Sequence, residues 1–511
     1  MSEEYEYDPY EYAKALEEGE DLGRSDLDEH WRLTRRDLLV KGGAGAAAIA
    51  GSGALAGAAA AAADSDNSVD KNGKFTGTLR VLTLGVEFPI PDIAKQASKD
   101  LGFTVKPILA PSEKQPQIAI TSPDTFDVFG GYNYQSLLVW PSGGLQPVDT
   151  RRIPSWKGFY KLFTYGKLNP ASTRCTYGQG NAPFRTTFVD PQGSTNGIGN
   201  STGLPVYSNG PTSNKEIIRW IGEDGKPIKG KPEPRWIVGP AAHFNADSMG
   251  YNADVIQKRP EQVSWAELLN TKWKGRVSLL RDPGIMSQDA GAAVTALGLM
   301  KIKDYGNPTK AEIDRLFKIL TKYKKQGQFR AFWSAFTDSV NFMVSKEVVI
   351  ESMWSPAVAL VKAAGVNVLY AVPPEGFRGW CSAEGISSAV KDPAKLQACY
   401  DYINWNYNGF LGAVIMRQGY YIANGQKLLP WIKSAAGKKA GFSPAEYDYW
   451  WGGKPAPRDL PGITGKVGDI KKGERREGGS FQQRICKYYS WNSFGRNADY
   501  LTKRVNDFLS A

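Results

Sequence analysis

Alternation of apolar and polar positions over residues 77–84 (GTLRVLTL) predicts a first strand. Residues 91–102 (PDIAKQASKDLG) then read as a helix, with Asp92 near its start and Gly102 as its stop. Residues 103–109 (FTVKPIL) and 126–129 (FDVF) read as second and third strands, the latter ending in Gly130-Gly131. Strand, helix and strand on short connections predict an α/β fold around a parallel sheet. From 164 to 240 the periodicity is lost, and Gly, Pro, Asn, Ser and Thr dominate in a loop-rich insertion too polar for a core of its own. Regular patterning then resumes. Helices are expected at 265–269 (capped by Ser264), 290–300, 310–325, 356–364, 396–405 and 498–509, and strands at 277–280, 348–354 and 366–372. The 310–325 helix puts Ile313, Leu316, Phe317, Leu320 and Tyr323 on one face. No internal repeat is visible in the sequence.

The first 63 residues stand apart. An acidic stretch from Glu3 to Glu29 precedes Thr34-Arg35-Arg36-Asp37-Leu38-Leu39, and an Ala/Gly run from Gly42 to Ala63 follows. Paired arginines ahead of a weakly apolar small-residue segment make a twin-arginine export signal, with Ala61-Ala62-Ala63 as its cleavage site. The run is also long enough to cross a bilayer as an anchor. Its Ala and Gly gain little from hydrocarbon, which favours the signal. The segment holds 13 acids and 6 Lys/Arg, so its removal raises the net charge from +11 to about +18. Dispersed bases, with no zinc-finger, helix-turn-helix or RNA-binding signature, argue against nucleic acid as a partner.

Enzyme chemistry finds little footing. His30 and His243 are the only histidines, and His30 leaves with the signal. No GxSxG, P-loop, HExxH or dinucleotide fingerprint is present, and no cofactor or metal is expected. His243 reads as structural. Cys175, Cys381, Cys399 and Cys486 match no metal or redox spacing, and export permits disulfides in any of three full pairings. What recurs is a set of acidic and aromatic residues just after strands: Glu87 and Phe88, Tyr132 and Asn133, Asp282, Trp354 and Trp380. The carboxyl ends of parallel strands line ligand crevices, where aromatic faces stack on sugars or hold an ammonium.

Three segments carry a family resemblance: FDVFGGYNYQSLLVWPSGGLQPVD (126–149), SWAELLNTKWKGRVSLLRDP (264–283) and VSKEVVIESMWSPAVALVKAAGVNVLYAVPPEGFRGW (344–380). With KDPAKLQACYDYINWNYN (391–408) they span most of 75–430. The chain resembles the extracellular solute-binding proteins of ATP-driven (ABC) importers, specifically the spermidine/putrescine-binding group. The resemblance implies an α/β, two-lobe, type II periplasmic binding protein fold with a ligand cleft between lobes. It divides the chain into a leader and signal (1–63), lobe one (75–163, returning at 381–430), the insertion (164–240) and lobe two (241–380, with 431–511). It implies a periplasmic monomer that delivers a small solute to an inner-membrane permease, after passage through the twin-arginine machinery. From the family's ligand set it carries over Glu87, Trp354, Trp380, Tyr420 and Gln482. It also marks departures. Ser382 stands where polyamine binders place an acid, as do Pro283 and Met286, leaving Asp282 and Glu384 as the nearest compensating carboxylates. Polyamine sites need several carboxylates because a buried unpaired ammonium is costly. The altered set suits a monocation, an opine-like or sugar-like amine, or a neutral compound. Rival readings are an exported carboxylate-dependent hydrolase acting on a glycan or ester, and an adhesion or scaffold protein using the insertion.

Overall fold

The computed structural model describes residues 66–84, 90–112, 114–140, 142–164, 179–180, 236–495 and 497–511. The leader and signal, Glu87 and Phe88, Cys175 and most of the 164–240 insertion lie outside the described residues.

Two sheets organise the molecule. The first is five-stranded, in the order Thr104–Leu109, Thr78–Thr83, Val128–Gly130, Gly385–Ser387, Leu145–Gln146. Its first three strands are parallel, and Gly385–Ser387 runs antiparallel to both of its neighbours. The second is larger and begins Phe329–Trp333, Val277–Leu280, Ile350–Met353, Ala241–Asn252. Again three parallel strands are followed by one antiparallel strand. Each sheet therefore places the second, first and third of these parallel strands in that order, then a strand of opposite direction. The repeat invisible in the sequence is a repeat of topology.

The lobes are joined by long strands. Ala241–Asn252 pairs near its end with Ile350–Met353 and Val368–Tyr370, and near its start with Phe377–Ala383 and Tyr421–Ile422. Phe377–Ala383 then passes through Glu384 into Gly385–Ser387 of the first sheet. Both crossing strands are buried along nearly their whole length, polar positions included. That is why neither shows alternation and neither is legible as a strand from its sequence. His243 and Trp380 accordingly sit within these strands: the sequence reading put His243 ahead of a strand and Trp380 after one.

Elsewhere the patterning is followed closely. The amphipathic helix spans Lys310–Lys325, started by a reciprocal cap between Thr309 and Glu312, and buries Ile313, Leu316, Phe317 and Leu320. Against it packs the terminal helix Ala498–Ser510, with Phe508 5.8 Å from Phe317 and Arg504 2.9 Å from Asp314. The 265–269 segment is a 3-10 turn rather than an α-helix, with Ser264 as its cap. The helix expected at 290–300 starts earlier and spans Pro283–Ala296, because Asp282 caps it and Pro283 occupies its first position. Cys381 and Cys399 are free and buried, whereas Cys486 is disulfide-bonded to a partner outside the described residues. No helix among the described residues is long and apolar enough to cross a membrane.

Candidate functional site

The ends of Thr78–Thr83 and Val128–Gly130 open toward the crossing strands, and a narrow cleft of about 10 Å3, room for about one water, lies between them. Thr83, Leu84, Gly130, Gly131 and Tyr132 line it from the first sheet, with Gln115 from a neighbouring helix and His243 and Ser382 from the crossing strands. Gly131 has to be glycine here, since a Cβ would lie 2.3 Å from the Phe129 ring.

An aromatic cluster backs this cleft. The Trp380 ring meets Tyr132 edge-on at 5.3 Å, His243 at 5.5 Å and Tyr420 at 5.1 Å, and His243 lies parallel to Tyr420 at 6.3 Å. Edge-to-face pairs fix ring orientation as well as filling space. Ser382 bridges the two sides. It forms an isolated β-bridge with Tyr132, and its Oγ accepts the His243 N–H and sits 2.8 Å from His243 Nδ1. Burial pushes the His243 imidazole well below its ordinary range and holds it neutral.

Glu384 is buried near these residues. Its carboxyl lies next to Gly130, and burial alone pushes its pKa up to about 8. Beneath the cleft, the crossing strands are tied by Arg378, which is fully buried. Its Nε donates to Asp289 Oδ1 at 2.7 Å, its Nη1 donates to Asn492 Oδ1 at 2.9 Å, and Asp247 Oδ2 is 3.5 Å from Nη2. Burial raises both carboxyls, Asp247 to about 6, and the Arg378 charge acts against that rise.

Tyr132, Trp380, Ser382, Glu384 and Tyr420 thus come together. Asn133 is buried beside them at the start of a short 3-10 turn. Asp282 and Trp354 take other duties. Asp282 accepts the Ile285 N–H at 3.0 Å as a helix cap and the Tyr134 hydroxyl at 3.1 Å, so it seats the second lobe on the first. Trp354 belongs to the second-lobe core, 5.1 Å from Trp333 and stacked on Phe336 at 6.0 Å, and Leu84 of the first lobe packs against that core. Gln482 is exposed on the short helix Phe481–Ile485, away from the cluster. His243, set aside as structural, lines the cleft. A lone polar residue beside the small pair Ala241-Ala242 was its only signal.

Residues 230–410 match the family model described as bacterial extracellular solute-binding protein. The matched stretch holds both crossing strands, His243, Trp380, Ser382 and Glu384. No curated protein sequence matches the chain. Among solved structures the chain is similar to the spermidine/putrescine transporter substrate-binding protein PotD of Streptococcus pneumoniae, in complex with calcium and HEPES. The identity is 12%, over 85% of this chain and 98% of that one, with a TM-score of 0.48. It is similar to the binding protein AgtB of A. tumefaciens R10 in complex with agropinic acid, at 13% identity over 85% and 99%, with a TM-score of 0.49. It is also similar to the Tp0655 (TpPotD) lipoprotein of Treponema pallidum, at 11% identity over 73% and 99%, with a TM-score of 0.45.

Proposed function

We propose that the chain is the solute-binding component of an ABC importer, taking a small organic solute, an amine or related compound, and passing it to a membrane permease. The observation that carries this is the cleft itself, a glycine-floored opening at two strand ends, walled by Tyr132, His243 and Ser382 with Trp380 and Tyr420 behind them. The family match over the crossing strands supports it. In this reading lobe one comprises 75–163 and 381–430, and lobe two 241–380 and 431–511, closing on each other about the crossing strands. The leader and signal route the folded monomer to the periplasm through the twin-arginine machinery, and the loop-rich 164–240 segment is an insertion on this frame.

A ligand that binds only the folded, closed protein raises its melting temperature by mass action. A thermal-shift panel of amines, amino acids, opines and sugars should therefore contain members that stabilise the wild-type chain. Tyr132→Ala should lose most of that stabilisation for the same members. Stabilisation that survives Tyr132→Ala undiminished would place the binding elsewhere and defeat the assignment of this cleft.

A further inference from the structure

The helix Lys310–Lys325 buries one face and charges the other. Ile313, Leu316, Phe317 and Leu320 join the second-lobe core with residues of Pro283–Ala296 and Ala498–Ser510. On the opposite side Arg315, Lys318, Lys322 and Lys325 are all exposed. Their spacing of three, four and three residues stacks them in one row about 15 Å long. No acid answers this row. Glu312 is taken up by the helix cap and the Lys303 N–H, and Asp314 by Arg504 and the Tyr500 hydroxyl. No ion pair reaches the four cations among the described residues. Like charges at these spacings work against the helix. The helix dipole favours cations only in the last turn, so it accounts for Lys322 and Lys325 but not for Arg315 and Lys318.

A second feature lies against the first. Leu297 and Leu299, 40% and 38% exposed, are two of the five exposed large apolar side chains among the described residues. Arg315 Nη2 donates to the Leu299 carbonyl at 2.9 Å, which fixes this turn beside the row. Lys301 and Lys303 follow, both exposed. Leucines at a tip with cations alongside are the make-up of a surface that settles at the boundary of an anionic bilayer. A protein interface is depleted of lysine and centred on aromatic residues, whereas this face is rich in lysine and has leucine at its tip.

We propose that this face of the second lobe docks on anionic phospholipid headgroups, with Arg315, Lys318, Lys322 and Lys325 along the phosphates and Leu297 and Leu299 at the acyl boundary. The surface is separate from the cleft and shares no residue with its lining. Docking of this kind confines a carrier's search for its permease to the membrane plane.

The test is a titration of the full chain with vesicles of phosphatidylglycerol and phosphatidylcholine in equal parts, the leader and signal being common to every chain compared. The wild type should bind at least tenfold more tightly than the row variant, Arg315→Gln, Lys318→Gln, Lys322→Gln and Lys325→Gln together. On phosphatidylcholine alone the two should not differ. Raising the salt from about 0.1 M to about 1 M, which shortens the screening length from about 10 Å to about 3 Å, should erase the difference. Leu297→Ser with Leu299→Ser should weaken binding to the anionic vesicles severalfold. A control variant removes the same charge from other exposed positions, Lys427→Gln, Lys433→Gln, Lys438→Gln and Lys439→Gln, and should bind as the wild type does. All the side chains replaced are exposed, so the urea midpoint should not fall in any variant. Equal affinity of wild type and row variant for the anionic vesicles, or no loss in the leucine variant, overturns the proposal. An equal loss in the control variant overturns it as well, assigning the binding to net charge alone. Row-dependent binding of poly-L-glutamate without binding of vesicles overturns it in favour of an acidic polypeptide.

Discussion

Arg378→Met should destabilise the protein by about 3–5 kcal/mol near neutral pH, because it removes one partner from a buried ionic cluster and leaves the others behind. Arg378 is fully buried and reaches Asp289, Asp247 and Asn492, which come from three different segments at the lobe crossing. Such a loss is a large fraction of a typical domain's 5–15 kcal/mol. The defect should depend on pH, with a definite sign. In the wild type the Asp247 pKa is raised to about 6, above its ordinary 3.8, and Asp289 is raised as well. Carboxyls with raised folded-state values hold protons that the unfolded chain has released, so their contribution to stability falls as pH rises through that window. Removing the arginine removes the influence that opposes the rise. The deficit in urea midpoint should therefore be larger at pH 8 than at pH 5. A deficit under about 1 kcal/mol, or one that grows on acidification, would mean the cluster is not held together by the guanidinium.

Trp380→Ala should be costly for a different reason. The indole is 3% exposed and contacts Tyr132, His243 and Tyr420 edge-on, so truncation opens a cavity worth about 3–5 kcal/mol. It also frees the Tyr132 ring, whose orientation the cleft depends on. Two readouts separate these effects. Chemical denaturation reports the cavity, and solute affinity of the folded fraction reports the wall. Trp380→Phe, which keeps an aromatic edge toward Tyr132, should recover most of the affinity while regaining only part of the stability. Stability unchanged in Trp380→Ala would show that the indole does not support the cluster.

The two substitutions mark where sequence reasoning succeeds and where it stops. Elements with a wet face were legible: Thr104–Leu109 and Lys310–Lys325 fall within a residue or two of the spans their periodicity predicts, and so does Thr78–Thr83, whose alternation survives burial because Arg80 keeps a polar position inside it. The crossing strands were not, because burial on both sides erases the alternation. AAHFNADSMGYN carries Asn245, Asp247 and Ser248 at positions with no exposure at all. Asp247 and Asn245 are tolerated because of partners, Arg378 and the Ser355 hydroxyl, which come from distant segments and cannot be read locally. Asp282 shows the converse. Its Asp-Pro-Gly context is a helix-start signal, and its place after a strand makes it look like a ligand group. Trp354 likewise reads as a wall residue by position and packs as core. Ser382 draws notice only as a departure from a resemblance, yet it lines the cleft beside His243.

The repeated strand order of the two lobes explains why the cleft forms where it does. In each sheet the parallel strands end toward the crossing, so loops and helix starts from both lobes converge there. The Tyr134–Asp282 hydrogen bond and the packing of Leu84 against the Trp354 cluster are contacts made between lobes.

The most direct test of the account is a calorimetric titration of the purified chain, freed of residues 1–63, with the panel solute that stabilises it most, in the wild type and in Ser382→Leu. One site per chain is expected in the wild type, with at least tenfold weaker binding in Ser382→Leu, where an isobutyl group replaces the hydroxyl on the cleft wall. Unchanged affinity and stoichiometry in Ser382→Leu would contradict it.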